Sequence, residues 1–230
     1  KKEIVHTKYG QAVAVSMEAL MDLHSGTVLK QKSKGLARGV AQLKEILAAN
    51  YIDNGHTTAN GGDAVALFSA SHPRIDGGVV SNVISGADLS EKALEDMIRA
   101  CMNIVDDRGL SLAIQPQKLI VARDNYAEAP RILQSEGQVY TPDNTINVIK
   151  SQGLLPGGFE VNHYLTDQNA TFMTTNAVDA EDGLVHYVRI PITLSSDNVF
   201  DNDMAKFKAV TKFSFAHKDP LCVFGNPGSS

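Results

Sequence analysis

The sequence has 230 residues, of which 43% are hydrophobic and 20% charged, and a formal net charge of −5. This composition is typical of a globular protein and fits one large domain or two small ones. No run of about 18 apolar residues occurs, so we expect no membrane-spanning segment. Two cysteines, Cys101 and Cys222, are too few for a disulfide framework, and we expect both to be buried thiols.

The charges are unevenly distributed along the chain. Residues 1–56 carry eight Lys/Arg and five Asp/Glu, a net charge of +3, whereas the remainder carries thirteen and twenty-one, a net charge of −8. This balance argues against sequence-specific nucleic-acid binding. Two interpretations of the basic segment stay open: it reflects chance, or it meets an acidic surface of another copy or nucleic acid.

The first elements in the chain are a strand and a long helix. Residues 3–15 have the composition of a strand, and Ser16 is a candidate N-cap. The helix is predicted over residues 17–51, and its apolar face consists of Leu36, Val40, Leu43 and Leu47. Glycines within the segment leave two possibilities open: another backbone approaches closely, or the helix breaks near Gly26.

A basic stripe runs along the same helix. Lys30, Lys34 and Arg38 follow at spacings of four residues, which places them on one face. Like charges at this spacing repel slightly, so the stripe is either a solvated face or a contact outside its own subunit.

The stretch Ala64–Gly78 contains Ser69, Ser71 and His72, which invites comparison with a hydrolase active site. A serine nucleophile needs a base within hydrogen-bond reach and an oxyanion hole. The G-x-S-x-G elbow is missing, and Pro73 follows where a helix would be required. Because proline favours extended backbone in the preceding residue, we interpret the stretch as an apolar strand running into a loop.

A second helix is predicted over residues 88–109, with Asp88 and Glu91 spaced as in a capping box and Gly109 at its C-terminal end. Its apolar face consists of Ala93, Met97, Cys101 and Ile104. A short helix kinked or restarted at Pro130 is also expected. Strands are predicted at residues 118–123, 145–150, 159–165, 170–175, 184–193, 206–217 and 221–225. The fold class is therefore α+β.

The sequence contains no motif for metal, cofactor or phosphate binding. Its seven histidines stand singly, without the spacing of metal ligands. The acidic run Asp197–Asp203 lacks the glycine and the final glutamate of a calcium loop, and the glycine pairs do not form a nucleotide-binding loop. We therefore expect no catalytic residue, no metal and no cofactor.

Three stretches in their order along the chain resemble a known family. They are LFSASHP followed by Ser81-Asn82, the run at residues 88–135, and the tail at residues 197–227. Together they resemble the major capsid proteins of tailed bacteriophages with the Hong Kong 97-type fold, closest to the Mu-type major head subunits. The resemblance covers nearly the whole chain, although none of the three stretches is diagnostic alone.

The resemblance implies a domain organisation. A peripheral domain with a long spine helix and a long antiparallel sheet would comprise residues 16–86 and 191–230. An axial domain with a central sheet and flanking helices would comprise residues 87–190, and residues 1–15 would be the returning strand of an extended loop that lies across a neighbouring subunit. The hairpin partner of that strand would precede Lys1, so we expect residues 1–15 to have no strand partner in their own chain. The candidate subunit-interface residues are Lys8, Tyr9, Lys30, Lys34 and Arg38.

The resemblance also implies a structural function. The chain would assemble through pentamers and hexamers into an icosahedral head shell in the host cytoplasm and be found in the virion. Its partners would be further copies of itself, scaffold, portal and decoration proteins, and packaged double-stranded DNA bound without sequence specificity, with no membrane. Two alternatives remain: an encapsulin-like compartment shell, and a serine hydrolase that uses Ser69 or Ser71 with His72.

Overall fold

The computed structural model describes residues 3–22, 25–58, 62–106, 108–138, 145–177, 183–199 and 203–228. The helices and strands are, in chain order, β1 (Thr7–Ser16), α1 (Met17–Asp22), α2 (Ser25–Asp53), β2 (His72–Pro73), β3 (Val79–Val80), α3 (Glu91–Met102), β4 (Pro116–Ala122), α4 (Glu128–Gln134), α5 (Val148–Ser151), β5 (Phe159–Asn162), β6 (Thr171–Thr175), β7 (Leu184–Val199), β8 (Met204–His217) and β9 (Val223–Asn226). No helix in these ranges is long and apolar enough to cross a membrane.

The chain divides into two compact units. The smaller comprises Glu3–Ala48 and His186–Ala216, and the larger includes Ala49–Val185 and His217–Ser230. The peripheral and axial domains that the resemblance implies, with their bounds and their roles in subunit contacts, stay predictions.

The smaller unit is a three-stranded sheet, in the order β1-β8-β7, with α2 packed on one side. Leu36 and Val40 of α2 are buried against Ala209 of β8, so the predicted apolar face of the long helix does form contacts. The predicted helix consists of α1 and α2. Gly26 lies within α2, and the junction between the two helices, at residues 23–24, is outside the described ranges.

The pairing of β1 corrects one expectation. We expected residues 1–15 to lack a hydrogen-bonding partner in their own chain, but β1 pairs with β8 along its full length, from Thr7 opposite Phe213 to Ser16 opposite Met204. Sequence reasoning placed the missing partner before residue 1, whereas it lies about 200 residues later. Since β1 is an edge strand of this sheet, its other edge has no strand partner among the described residues.

The larger unit is built on a four-stranded mixed sheet, in the order β5-β4-β6-β9. The pair β4–β5 is parallel, and the pairs β4–β6 and β6–β9 are antiparallel. The apolar face of α3, with Met97 and Cys101, packs against Leu119 and Val121 of β4 in the main core. A second core stacks Phe68 on Phe172, with ring centroids 5.1 Å apart.

Several element bounds differ from the predicted ones. The N-cap of α3 is Ser90, whose side chain accepts a hydrogen bond from the Ala93 N–H, and not Asp88. The helix ends at Met102, so Gly109 is not its stop; its positive φ of 80° belongs to a later turn. Residues 145–150 do not form the predicted strand, because the Asn147 side chain caps the short helix α5.

The stretch around Leu67 and Phe68 is also not the strand that was predicted. Both side chains are buried, but the backbone there is irregular. The chain then forms a small hairpin in which β2 pairs with β3, closed by a turn at residues 74–78. Turn formation after His72 is therefore confirmed, and the loop is fixed by side-chain contacts rather than by a sheet.

Candidate functional site

His72 lies at the centre of a polar network in the larger unit. Its Nδ1 is 2.7 Å from Asp63 Oδ2, and its Nε2 is 3.1 Å from Asn82 Oδ1. The imidazole is buried, whereas the Asp63 carboxylate is partly exposed. Both ring nitrogens therefore face oxygen acceptors, an arrangement that an imidazolium with two N–H donors satisfies.

The same contact shifts the pKa of Asp63. Burial raises the pKa of its carboxyl group, but hydrogen bonds from His72 and from the Val65 N–H together outweigh this, and the pKa lies below its ordinary value. The carboxylate is thus the charged partner of His72 at neutral pH. The hydrogen bond between the Asp63 carboxylate and His72 holds residues 63 and 72 together.

The serines do not form a catalytic arrangement with His72. Ser69 Oγ is 3.3 Å from Ser71 Oγ and accepts a hydrogen bond from the Ser71 N–H. A general base needs a free nitrogen lone pair directed at the hydroxyl group, but both nitrogens of His72 are engaged with Asp63 and Asn82. The geometry does not support the hydrolase alternative.

Asn82 is the residue that connects this loop to the sheet. Its fully buried Nδ2 lies within hydrogen-bond distance of the carbonyl oxygens of Leu67, Pro220 and Val223, at 2.7, 2.9 and 3.2 Å. Its Oδ1 accepts the Ser69 N–H at 2.9 Å. Sequence reasoning noted Asn82 only as part of a Ser-Asn pair, because its partners lie up to 141 residues away.

A cavity of about 450 Å³ adjoins His72. Three carboxylates line it, but each already accepts backbone N–H groups: Asp63 from Val65, Asp106 from Arg108 and Leu110, and Asp219 from Leu221. These carboxylates therefore stabilise turns. Within the described ranges, no group of three or more His, Cys, Asp or Glu side chains is arranged to hold a metal ion.

The two cysteines are buried in the larger unit and unpaired with each other. Burial raises the pKa of the Cys101 thiol to about 12, and burial together with the nearby Asp219 carboxylate raises the pKa of Cys222 to about 12. Neither thiol is therefore a nucleophile at neutral pH, and the expectation of buried thiols is confirmed.

The basic stripe is on the surface of the smaller unit. Lys30, Lys34 and Arg38 are exposed, on a different face of α2 from the buried Leu36 and Val40. None of the three takes part in an ion pair with another described residue. Exposure and charge are thus as the sequence indicates, and what covers the stripe stays a prediction.

The other two candidate interface residues lie on β1. Lys8 is exposed and stands directly opposite Lys212 of β8. Tyr9 is half-buried, and its ring centroid lies 4.9 Å from that of Phe213 in the same chain. Tyr9 thus has a packing role within its own subunit that sequence reasoning missed.

Sequence reasoning also missed three lysines of β8. Lys206, Lys208 and Lys212 alternate with the inward-facing Phe207, Ala209 and Phe213. The signal was present in the sequence, because a strand with one apolar face must expose the residues between. Their shared side with Lys8, however, depends on the pairing of β1 with β8.

Comparisons with known proteins agree with this architecture. The profile of a phage capsid protein family matches residues 1–226, and no curated protein matches the sequence. Among solved structures, the chain is similar to Mycobacterium phage Patience, with 12% identity, a TM-score of 0.59, and coverage of 96% of this chain and 68% of that chain. It is also similar to the capsid of Myoviridae phage XM1, with 12% identity, a TM-score of 0.55, and coverage of 97% and 74%.

The holo-SrpI encapsulin complex of Synechococcus elongatus is a further similar structure, with 11% identity, a TM-score of 0.55, and coverage of 99% of this chain and 76% of that chain. At such identities the structural likeness shows the fold, which is the Hong Kong 97-type α+β fold expected from the sequence. The family profile, which spans nearly the whole sequence, decides the function. The chain belongs to the family of phage capsid proteins, and it is a structural, non-enzymatic subunit of the phage head shell.

Proposed function

We propose that this capsid protein forms an icosahedral shell of pentamers and hexamers around double-stranded DNA, and that it is most similar to the Mu-type major head subunits. Scaffold, portal and decoration proteins are its expected partners. The family match over residues 1–226 carries the proposal. It also favours a phage head over an encapsulin-like compartment, for which the support is fold similarity alone.

Shell growth requires contacts between different surfaces of neighbouring copies, closed by five-fold and six-fold rotation. The charge distribution offers one such contact. The smaller unit's residues 3–48 and 186–216 carry ten Lys/Arg and seven Asp/Glu, whereas the remainder of the chain carries eleven and nineteen. The basic stripe of Lys30, Lys34 and Arg38 therefore meets an acidic surface of a neighbouring copy.

The free edge of β1 is a second contact. Its backbone groups that point away from β8 have no strand partner among the described residues. The residues of β1 are mostly exposed, so this strand adds little to the core of its own subunit. We assign residues 1–15 to an extended loop whose outer edge lies against a neighbouring subunit.

Electron microscopy and sedimentation of the expressed protein, with any scaffold that assembly requires, test the assembly. Hollow closed particles and capsomers are expected. Small, well-behaved oligomers under all such conditions would contradict the proposal.

A matched pair of substitutions tests the basic stripe. Lys30→Glu reverses a charge within the stripe, whereas Lys32→Glu makes the same change on the same helix about 200° around its axis. We expect the first change to lower the particle yield at low salt and the second to leave it near the wild-type value. The difference should shrink at about 1 M salt, where the Debye length falls to about 3 Å. Equal yields for the two variants at low salt would leave the stripe as a solvated face.

A further inference from the structure

The solvent side of the sheet in the smaller unit carries a row of lysines. Residues directly opposite each other in an antiparallel pair lie on the same side of the sheet. The register of β1 and β8 thus places Lys8 on the same side as Lys212, and the alternation of β8 adds Lys206 and Lys208. We call these four residues the lysine face. The other side of the sheet is the one on which α2 packs.

The neighbouring strand β7 extends this positive surface. The ring of His186 stacks on Phe215 at 4.7 Å, which places His186 on the α2 side of the sheet. Strand alternation then puts the exposed Arg189, three residues later, on the side of the lysine face. On the described residues of the three strands, Asp197 near the far end of β7 is the sole carboxylate.

Asp197 lies an even number of residues after Arg189, so alternation places one carboxylate on the side of the lysine face, but it forms no ion pair with these lysines. Lys8 and Lys212 stand directly opposite each other, and like charges in that arrangement are destabilising. None of the four lysines forms an ion pair with another described residue. The repulsion between these lysines would be offset by an anionic partner that places several negative charges along the row.

The spacing of the lysines suits a nucleic-acid backbone. At about 3.4 Å per residue, the six steps along the strand from Lys206 to Lys212 extend about 20 Å. This is the length of about six base pairs of duplex DNA, whose phosphates repeat every 3.4 Å along each strand. The β1 residues opposite Lys208 and Lys206 are Ala12 and Ala14, so small side chains keep this side flat enough for a rod-like partner.

A protein partner fits this side less well. The centres of protein–protein interfaces are depleted in lysine and enriched in large apolar and aromatic side chains. Between the lysines, the same side of β1 and β8 carries Gly10, Ala12, Ala14 and one aliphatic residue, Val210, and no aromatic residue. Contacts to phosphates require only cationic side chains long enough to reach them.

We propose that the lysine face binds the phosphodiester backbone of duplex DNA without regard to base sequence. The inference rests on the proposed function, in that the shell encloses double-stranded DNA. The inference names the surface of the subunit that meets the DNA. This surface is distinct from the basic stripe, which lies on α2 on the other side of the same sheet.

The test uses unassembled full-length subunits and a short duplex of random sequence, with binding measured by fluorescence anisotropy as salt is varied. In the test variant, Lys8, Lys206, Lys208 and Lys212 are all replaced by Gln. For each phosphate that the variant no longer neutralises, the slope of log K against log salt should fall by about 0.9, so the slope should become shallower by about 3.6. Affinity at low salt should fall at least tenfold.

Two further variants make the outcome specific. Replacing the same four lysines by Arg keeps the charge and should preserve binding, which separates loss of charge from loss of folding. Replacing Lys30, Lys34 and Arg38 by Gln removes a similar charge from α2 and should leave duplex binding near the wild-type level. The proposal is overturned if the α2 variant loses binding and the lysine-face variant keeps it. It is also overturned if wild-type subunits bind poly-glutamate as tightly as they bind duplex DNA.

Shell formation is scored separately, by electron microscopy. Because Lys8 is also a candidate interface residue on β1, shell formation is scored with a variant in which Lys8 is kept and only Lys206, Lys208 and Lys212 are replaced by Gln. This variant should still form particles, since its substitutions lie outside the proposed contacts of the basic stripe and of β1. Subunits that bind DNA through the lysine face but form no shell would contradict the proposed function alone. Shells that form normally from subunits without measurable affinity for duplex DNA would overturn the inference alone.

Discussion

The carboxylate of Asp63 and the buried imidazole of His72 form a hydrogen bond, with 2.7 Å between Oδ2 and Nδ1. Because the pKa of Asp63 is lower in the folded protein than its ordinary value of about 3.9, the pair stabilises the fold above that value. The contribution is lost as the pH falls through the folded pKa. Asp63→Asn should therefore lower the melting temperature at neutral pH, by a few degrees for a loss of about 1 to 2 kcal/mol.

Thermal unfolding of the wild type and of Asp63→Asn over a range of pH checks this expectation. The two melting temperatures should converge as the pH falls below about 4, because the wild-type carboxyl group then also loses its charge. A difference that stays constant down to about pH 2 would show that the charge of the Asp63 carboxylate does not account for it. The same cavity is also lined by four charged side chains, those of Arg74, Asp106, Lys218 and Asp219. The measurements should therefore be made at both low and high salt, because salt screens the charges of these side chains.

The Asn82 amide should matter more for stability than the neighbouring serines. Asn82→Leu removes a side-chain donor from the carbonyl groups of Leu67, Pro220 and Val223, of which Pro220 keeps the Val223 N–H. Each buried carbonyl group left unsatisfied costs about 1 to 3 kcal/mol. Ser71→Ala removes an exposed hydroxyl group and should cost about 1 kcal/mol or less. Denaturant unfolding of both variants measures the difference. Equal losses would show that Asn82 does not secure the loop.

Some features of these two regions could be predicted from the sequence, and others could not. The turn after His72 and the apolar face of α3 follow from local rules, because proline geometry and helical spacing act within a few residues. The role of Asn82 does not, because it depends on carbonyl groups about 140 residues away. Nor does the partner of β1, since strand pairing at this separation leaves no local pattern.

The predicted strand at residues 145–150 was wrong for a related reason. Its β-branched residues favour a strand, but the Asn147 side chain accepts a hydrogen bond from the Lys150 N–H, which starts a helical turn. Ile149 is buried in the main core by that turn. Of the candidate interface residues, the charges of Lys30, Lys34 and Arg38 could be placed from the sequence, whereas the lysine face required the register of β1 and β8.

Two glycine substitutions should have opposite effects. A Cβ atom on Gly225 would lie 2.6 Å from a carbon of the Phe68 ring, so Gly225→Ala should force the aromatic core apart and destabilise the larger unit by about 1 to 3 kcal/mol. Gly35 lies inside α2 with nothing within 4 Å of the added Cβ, and Gly35→Ala should stabilise by up to about 1 kcal/mol. Denaturant midpoints decide the matter; a neutral Gly225→Ala would be inconsistent with this packing.

The thiols should be inert in the folded protein. With pKa values of about 12, Cys101 and Cys222 are almost entirely protonated at about pH 8, and both are buried. Alkylation followed by mass spectrometry should find almost no label on native subunits and two labels per chain after unfolding in denaturant. Rapid labelling of either cysteine under native conditions would mean that its part of the core opens readily.

Hydrogen exchange along β1 should show a two-residue period in free subunits. In an antiparallel pair, alternate residues of a strand direct their N–H groups toward the partner, so about half of the amides of Thr7–Ser16 should be protected by β8. The other half point to the free edge and should exchange rapidly until a neighbouring subunit covers it.

Residue-resolved hydrogen exchange before and after assembly distinguishes the amides that face β8 from those that face the free edge. Assembly should slow the second set of amides and change the first set little. Fast exchange at every residue of β1 in free subunits would contradict the pairing with β8. If the alternating pattern persisted unchanged in assembled shells, the outer edge of β1 would remain solvent-exposed there, and residues 1–15 would make their neighbour contacts through side chains or not at all.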